Sequence, residues 1–204
     1  MKIPEPAKFI SESRLFTKVL AEIMHGIVYC YSGNSKTTGF FVSEDGWIIT
    51  AGHKVDKDFP TAEKIFVKLN RIDGDKIFES ERVVSPPQGY DLLLLKVDHK
   101  PKYYFKIFKD PYLFEENWII GFRGVANICI SPSGYATSNT AKPELYYTTA
   151  SIYYGNSGSP VFNRKGEVLG VAVQGIPMGD GFFVPASVVE KYIKDTLEKE
   201  DDTQ

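Results

Sequence analysis

The chain has 204 residues, 43% of them hydrophobic and 14% aromatic, which is enough to bury a sizeable core in one globular domain. A formal net charge of −2, with no long cluster of lysine or arginine, argues against nucleic acid as a partner. No stretch of the sequence approaches the roughly 20 apolar residues of a membrane span, so we expect no membrane segment.

The first 26 residues predict a short helix packed on the domain. Apolar residues recur there at helical spacing, with Ser11 and Ser13 available to start the helix and Gly26 near its end. The apolar positions are Leu15, Phe16, Val19, Leu20, Ile23 and Met24. Charged side chains are spread through the first 14 residues and leave no room for the apolar core of a signal peptide. We therefore expect a cytoplasmic protein.

The two cysteines, Cys30 and Cys129, can form at most one disulfide, and neither has metal-ligand spacing to the other or to a histidine. Since free cysteine behaves as a small apolar residue, we expect two buried free thiols. We expect no metal site and no cofactor.

From residue 27 onward, short strand-like runs alternate with residues that favour turns. In the first half these runs cover 27–31, 38–42, 47–51, 65–69 and 92–97, with a hairpin turn signal at Asp45-Gly46. In the second half they cover 118–121, 127–130, 144–150, 159–162, 168–174 and 181–184. Residues 101–116 show no clear periodicity and are the candidate boundary between the halves. This pattern predicts an all-β protein built as a pair of barrels or as a sandwich.

A final helix is predicted after Pro185. Ser187 and Glu190 have the spacing of a capping box, in which each side chain bonds the backbone of the other residue. The apolar positions of this helix are Val188, Val189, Tyr192, Ile193 and Leu197.

The run Tyr154-Gly155-Asn156-Ser157-Gly158-Ser159-Pro160 sets a serine on a turn flanked by glycines. Alone, such a run is more simply a structural turn. An isolated serine hydroxyl is a poor nucleophile and needs a base and an orienting acid. Both candidates exist in the chain, in the order His53, Asp91, Ser157.

Other residues compete for these roles less well. Asp98 and Asp110 are rival acids, but only Asp91 directly precedes a continuous apolar run. His25 lies beside a helix end and His99 in a charged loop, so we expect both to be structural or solvated. The esterase elbow GxSxG is excluded because its last glycine is replaced here by a serine and because the acid precedes the nucleophile.

Four segments carry a resemblance to a known family. Residues 37–53 end in Thr-Ala-Gly-His, residues 91–97 read Asp-Leu-Leu-Leu-Leu-Lys-Val, residues 149–170 hold the serine, and residues 181–185 read Gly-Phe-Phe-Val-Pro. Together they resemble the chymotrypsin-fold serine proteases, and most of all the HtrA branch. The resemblance covers roughly residues 27–197.

The resemblance implies two packed six-stranded antiparallel β-barrels with short N-terminal and C-terminal helices. It implies a single peptidase domain made of an N-terminal helical segment (1–26), an N-terminal barrel (27–105), a C-terminal barrel (106–185) and a C-terminal helix and tail (186–204). It also implies that His53 is the general base, that Asp91 orients it, and that the N–H groups of Gly155 and Ser157 form the oxyanion hole.

By the same resemblance, Ser151 is expected at the base of the S1 pocket, and Val173, Gln174 and Gly175 are expected to pair with the substrate backbone. An uncharged pocket predicts an apolar P1 residue. The expected partner is a peptide or protein substrate, and a further domain or a regulatory protein is possible because HtrA proteins usually continue into a PDZ domain. The sequence does not indicate an oligomeric state.

Two departures and two alternatives accompany this interpretation. Asn156 stands where secreted trypsin-like enzymes have an aspartate that pairs with a cleaved N-terminus, so activation of that kind is not expected. Ser159 replaces the second glycine that usually follows the nucleophile.

The alternatives are a catalytically silent protease-fold module that binds peptides or proteins, and an esterase or acyltransferase that uses the same triad.

Overall fold

The computed structural model describes residues 6–54, 64–84, 91–124, 127–138, 145–177 and 179–201. Helix α1 covers Pro6–Ile23 and continues into a 3-10 turn at Met24–Gly26. The helix begins earlier than Ser11, and a proline suits a first helical turn because its missing N–H has no partner there. Ile23 is buried, and Phe16, Val19 and Leu20 pack against the core, so the predicted N-terminal helix is confirmed.

The first half of the chain forms one antiparallel sheet. Its strands are β1 (Ile27–Ser32), β2 (Ser35–Phe41), β3 (Trp47–Thr50), β4 (Phe66–Leu69), β5 (Ile77–Glu79), β6 (Arg82–Val84) and β7 (Leu93–Lys96), in the order β5-β4-β1-β2-β3-β7-β6. β5 and β6 are two parts of one bent segment, because the N–H of Ser80 bonds Ile65 and that of Glu81 bonds Lys96, each at 2.8 Å. The bend joins the two edges of the sheet and closes a barrel of six strands.

The second half forms another antiparallel barrel. Its strands are β8 (Glu116–Phe122), β9 (Ile128–Ile130), β10 (Gly134–Ser138), β11 (Tyr146–Thr148), β12 (Pro160–Phe162), β13 (Val168–Gly175) and β14 (Gly181–Pro185). They follow the order β10-β11-β14-β13-β12-β8-β9, and a further pairing of β10 with β8 closes a ring of six strands with β9 outside it. The expected all-β fold of two six-stranded barrels is confirmed.

One hydrophobic cluster lies between the barrels and draws on both of them and on both helices. It includes Ile23 from α1, Phe40, Ile49 and Leu94 from the first barrel, and Trp118, Phe162 and Val171 from the second. Two smaller clusters fill the barrels themselves, one with Val28, Ile48 and Leu95, the other with Ile119, Val161 and Phe183. The shared cluster fixes how the barrels are docked, and therefore how the loops at their junction face each other.

Helix α2 (Ala186–Asp201) confirms the predicted final helix and buries Val189 and Tyr192 in the shared cluster. Its first turn is not held by the predicted capping box. Instead, the N–H of Ser187 donates to Asp110 Oδ1 at 2.7 Å, and the Ser187 hydroxyl donates to Asp110 Oδ2 at 2.8 Å. The cap comes from the connection between the barrels because Ser187 lies inside the helix rather than at its N-cap.

The two cysteines are free, as expected, but only Cys30 is buried. Burial raises the pKa of the Cys30 thiol to about 12, so it stays protonated and inert. The prediction of a second buried thiol is wrong, because Cys129 lies on β9, whose residues are mostly exposed.

Candidate active site

His53 and Asp91 meet because their strands are neighbours. His53 lies in a 3-10 turn at Gly52–Lys54 just after β3, and Asp91 lies two residues before β7. In the antiparallel pairing of these strands Thr50 faces Leu93, which brings the end of one beside the start of the other. His53 follows one buried strand and Asp91 precedes the neighbouring one. This local pattern therefore brings the two residues together.

Asp91 holds the histidine at two points. The backbone N–H of His53 donates to Asp91 Oδ1 at 2.6 Å, and His53 Nδ1 lies 2.6 Å from Oδ2. A carboxylate only accepts hydrogen bonds, so in the neutral imidazole Nδ1 carries the hydrogen and Nε2 keeps a lone pair. The side chains of the two residues are 32% and 33% exposed, so the imidazole can be reached from solvent.

The rival residues lie elsewhere. Asp98 is exposed, and Asp110 caps α2. His25 Nδ1 donates to Asp73 at 2.9 Å, and His99 packs against Phe41 and Phe78 with ring centroids 5.8 and 5.0 Å away. Both histidines are bound within the fold, as expected from the sequence.

Ser157 lies on a tight loop between β11 and β12 and is 7% exposed. Gly155 and Gly158 flank it with φ values of +95° and +82°, a region that side chains rarely enter. A Cβ atom at Gly155 would collide with the carbonyl of Phe122, and one at Gly158 would collide with that of Thr38. Glycine is required at both positions for the loop to approach the strands beneath it.

The loop presents two backbone N–H groups without an internal acceptor. The N–H of Asn156 donates to the carbonyl of Tyr153 at 2.9 Å, and the positive φ of Gly155 makes this turn type II. Within the part of the chain that the structure describes, no acceptor bonds the N–H of Gly155 or of Ser157. These are the two donors that the sequence proposed for an oxyanion hole.

Strand β2 of the first barrel holds this loop of the second barrel. The carbonyl of Ser157 accepts from the Thr38 N–H at 3.0 Å and from the Thr37 hydroxyl at 2.5 Å. The Thr38 hydroxyl donates to the carbonyl of Gly155 at 2.8 Å and accepts from the N–H of Phe122 at 2.9 Å. The role of the two threonines was missed, because a Thr-Thr pair in the sequence indicates only a strand.

A cleft of about 490 Å³ opens between His53 and Ser157. The other lining residues are Ile152, Tyr153, Tyr154, Val173, Gln174, Gly175, Ile176 and Pro177. Three of the four predicted substrate-binding residues are among them, whereas Ser151 is not. Ser151 is instead partly buried beside Gly179. Tyr153 and Tyr154 line the cleft but were not predicted from the sequence as substrate-binding residues. The guanidinium of Arg123 lies 3.4 Å from the ring centre of Tyr153.

One edge of β13 is open beside this cleft. β12 pairs with β13 as far as Val171, Ala172 bonds the loop before β12, and in the described residues beyond Ala172 the strand pairs with β14 alone. The carbonyl of Ala172 accepts a hydrogen bond of 2.7 Å from the N–H of Gly158, and this bond connects the edge to the serine loop. Val173 to Gly175 therefore offer a free strand edge to an extended peptide.

In the described residues, no group of three or more histidine, cysteine or acidic side chains is placed to hold a metal ion. The described helices include none that is long and apolar enough to cross a bilayer.

Curated proteins similar to this chain carry one recurring name. A protein of Rhizobium meliloti (strain 1021) is 30% identical over 176 residues, covering 80% of this chain and 33% of the relative. One of Pseudomonas putida (strain F1) is 31% identical over 163 residues, covering 74% and 32%. Both are named "Probable periplasmic serine endoprotease DegP-like". The chain spans about a third of the length of the curated relatives it matches.

Solved structures share the fold. The serine endoprotease from Yersinia pestis superposes with a TM-score of 0.75 at 22% identity, covering 95% of this chain and 67% of that one. The MamO protease domain from Magnetospirillum magneticum superposes with a TM-score of 0.70 at 23% identity, covering 84% and 97%. At these identities the likeness is one of fold.

The expectation of a cytoplasmic protein is wrong. It rested on the charges of the first residues, whereas the similar curated proteins are named periplasmic.

The family model for the trypsin-like peptidase domain matches residues 37–171, which are more than half of the chain and include His53, Asp91 and Ser157. The chain belongs to the trypsin-like peptidase family.

Proposed function

We propose that the protein is a serine endopeptidase in which Ser157 is the nucleophile, His53 the general base and Asp91 its orienting acid. The observation that carries the proposal is the double hydrogen bond from His53 to Asp91, with His53 and Ser157 lining one cleft. A peptide bond is the substrate because an extended chain fits the open edge of β13 beside that cleft.

In the proposed reaction, the Ser157 hydroxyl oxygen attacks the substrate carbonyl carbon while His53 Nε2 takes the hydroxyl proton. The carbonyl oxygen becomes negative and receives hydrogen bonds from the N–H groups of Gly155 and Ser157. The C–N bond then breaks, and His53 returns the proton to the leaving amine. Water, activated by the same histidine, hydrolyses the acyl-enzyme and restores Ser157.

Asp91 stabilises the imidazolium that forms in each step and keeps the imidazole in one tautomer. Because its two oxygens bond the backbone and the ring of the same residue, rotation of the imidazole is restricted. The cleft itself is lined by apolar, aromatic and amide residues, with no carboxylate among the described lining residues. This lining supports an apolar P1 residue.

Labelling by a fluorophosphonate probe tests the nucleophile. We expect the wild type to be labelled, Ser157→Ala to be unlabelled, and Ser187→Ala, which alters an exposed serine on α2, to be labelled as the wild type is. Persistent labelling of Ser157→Ala would overturn the assignment. An unlabelled wild type that binds peptides without cutting them would indicate the silent binding module instead.

Cleavage of a peptide library then tests P1. We expect cleavage after aliphatic or aromatic residues, because the described lining of the cleft holds no carboxylate to pair with a basic side chain. Preferred cleavage after lysine or arginine would contradict this part of the proposal.

From the names of its relatives we also infer that the protein works in the periplasm. Fractionation of cells that make the native protein tests this inference, and recovery in the cytoplasmic fraction alone would reject it.

A further inference from the structure

A second groove lies beside the serine loop, on the outer face of the first barrel. It has a volume of about 370 Å³. Tyr31 pairs with Lys36 on β2 and with Phe66 on β4, and residues directly opposite on neighbouring strands share a face of the sheet. The groove is lined by Tyr29, Tyr31, Lys36, Lys68, Leu69, Asp75, Ile77, Phe122 and Gly124.

The wall of the groove is aromatic. Ring centroids are 5.1 Å apart between Phe122 and Tyr29, 5.9 Å between Tyr29 and Tyr31, and 5.4 Å between Tyr31 and Phe66. The rings of Phe122, Tyr29 and Tyr31 line the groove, and the row runs along β1 to Phe66 beyond it. Such a row offers a large apolar side chain an aromatic surface at which it loses contact with water.

The groove adjoins the proposed oxyanion hole. The N–H of Phe122 bonds the Thr38 hydroxyl, which in turn bonds the carbonyl of Gly155. A Cβ atom at Gly124 would lie 3.9 Å from the carbonyl oxygen of Tyr154, a residue that lines the cleft. Gln174 and Gly175 line the cleft but not the groove. The groove therefore lies next to the end of the cleft at Tyr154, away from the β13 edge.

Among the described residues, Lys36 is the one charge on the rim of the groove without an opposite charge beside it. Lys68 Nζ lies 3.0 Å from Asp75 Oδ1, so these two charges offset each other. Lys36 is exposed, and among the described residues no carboxylate pairs with it. A substrate carboxylate near Lys36 would be attracted, and a substrate lysine would be repelled.

We propose that this groove binds the leaving-group side of the substrate, taking a large apolar side chain against Tyr29 and Tyr31 and favouring an acidic residue beside Lys36. The proposal rests on the proposed peptidase function. It makes residues after the scissile bond a source of specificity separate from P1.

Two sets of substrates test the proposal in the full chain. Internally quenched peptides share one acyl side and carry Phe or Gly, and Glu or Lys, after the scissile bond. An aminocoumarin amide with the same acyl side has no leaving-group residues. We expect Tyr31→Ala to lower kcat/KM for the Phe peptide about tenfold, as the loss of about 1.4 kcal/mol of binding would, and to leave the aminocoumarin amide unchanged.

Charge reversal gives a sharper test. Lys36→Glu should lower kcat/KM for the Glu peptide and raise it for the Lys peptide, which exchanges the order of the two substrates. Lys106→Glu, which makes the same change at an exposed lysine that lines neither groove nor cleft, should leave that order unchanged.

The proposal is overturned if both groove variants slow the aminocoumarin amide as much as the peptides, if they leave all peptides unaffected, or if they change only the oligomeric state. Labelling of Ser157 by the fluorophosphonate probe does not use the groove. If the wild type is labelled by the probe but shows no preference among residues after the scissile bond, the groove proposal alone is rejected. If the wild type is not labelled, the peptidase function is rejected.

Discussion

At the scale of single residues, Thr38 connects more parts of the candidate site than any residue predicted from the sequence. Its hydroxyl joins the carbonyl of Gly155 to the N–H of Phe122, its N–H bonds the carbonyl of Ser157, and its own carbonyl accepts from Thr50 at 2.6 Å. All of these groups are buried, so each bond is formed away from competing water. Thr38 is a positioning residue for the turn that carries both proposed oxyanion donors.

Thr38→Val tests this role because valine keeps the shape and removes the hydroxyl. We expect kcat to fall by about tenfold to a hundredfold, less than the loss of a whole oxyanion donor, because the turn loosens while its N–H groups remain. KM should change little, since Thr38 does not line the cleft. Steady-state kinetics on the aminocoumarin amide, well below the unfolding temperature, measure the effect.

Thr38→Ser is the matched control, because it keeps the hydroxyl and loses only a methyl group. We expect it to retain most of kcat. Equal losses of kcat in the valine and serine variants would indicate that Thr38 acts through packing rather than through its hydrogen bonds.

At the scale of elements, α2 depends on an acid far away in the sequence. Asp110 accepts two hydrogen bonds from Ser187, one from its backbone and one from its side chain. It also places a carboxylate at the end of the helix where the backbone dipole favours negative charge. Because α2 buries Val189 and Tyr192 between the barrels, the cap contributes to the whole fold.

Asp110→Ala should lower the free energy of unfolding by about 1 to 2 kcal/mol, the usual cost of losing a helix cap. Ser187→Ala should cost about half as much, since the backbone bond survives. Glu190→Ala is the control, because Glu190 belongs to the capping box that does not form and is exposed. Urea unfolding measures all three variants, and a larger loss in Glu190→Ala than in Asp110→Ala would contradict the assigned cap.

Most elements followed from local patterns, and those that did not have identifiable reasons. Strands such as β3 and β7 are apolar runs bounded by turn residues, so the sequence locates them. β5, β6 and β10 were missed. The first two are only three residues long, with one charged residue each, and the third consists mostly of small and polar residues. Their place depends on neighbouring strands rather than on their own composition.

In the candidate site, too, some residues could be predicted from local patterns and others could not. His53 and Asp91 were predictable because each lies at the end of a recognisable strand, and Gly155 and Gly158 because a turn needs positive φ. The contacts of Thr37 and Thr38, and the position of Ser151 outside the cleft, depend on how the two barrels dock. No local pattern in the sequence encodes that arrangement.

At the scale of the whole molecule, a partly buried carboxylate joins three separate segments. Asp73, whose side chain is 9% exposed, accepts from His25 at the end of α1 and pairs with Lys102 of the inter-barrel connection at 3.0 Å. Burial alone would raise the pKa of the Asp73 carboxyl, but the hydrogen bonds from His25 and Lys102 outweigh it and hold the pKa below its usual value.

A carboxyl group with a lowered pKa in the folded state stabilises the fold above its unfolded pKa and loses that contribution as pH falls through the folded value. We therefore expect Asp73→Asn to lower the free energy of unfolding by about 1 kcal/mol at pH 7. The difference from the wild type should shrink from about pH 4 downward. Urea unfolding across this range measures it, and a difference that grows on acidification would contradict the assignment.

The hydrogen bonds of Thr37 and Thr38 across the barrel junction make the shape of the serine loop depend on the docking of the two barrels. The serine loop belongs to one barrel, while the groups that hold its carbonyls belong to the other. A chain whose two barrels had folded but not docked would contain every residue of the candidate triad, but the turn that carries Ser157 would not be held in place. In the proposed peptidase, activity would therefore appear only at the last step of folding, when the two barrels dock.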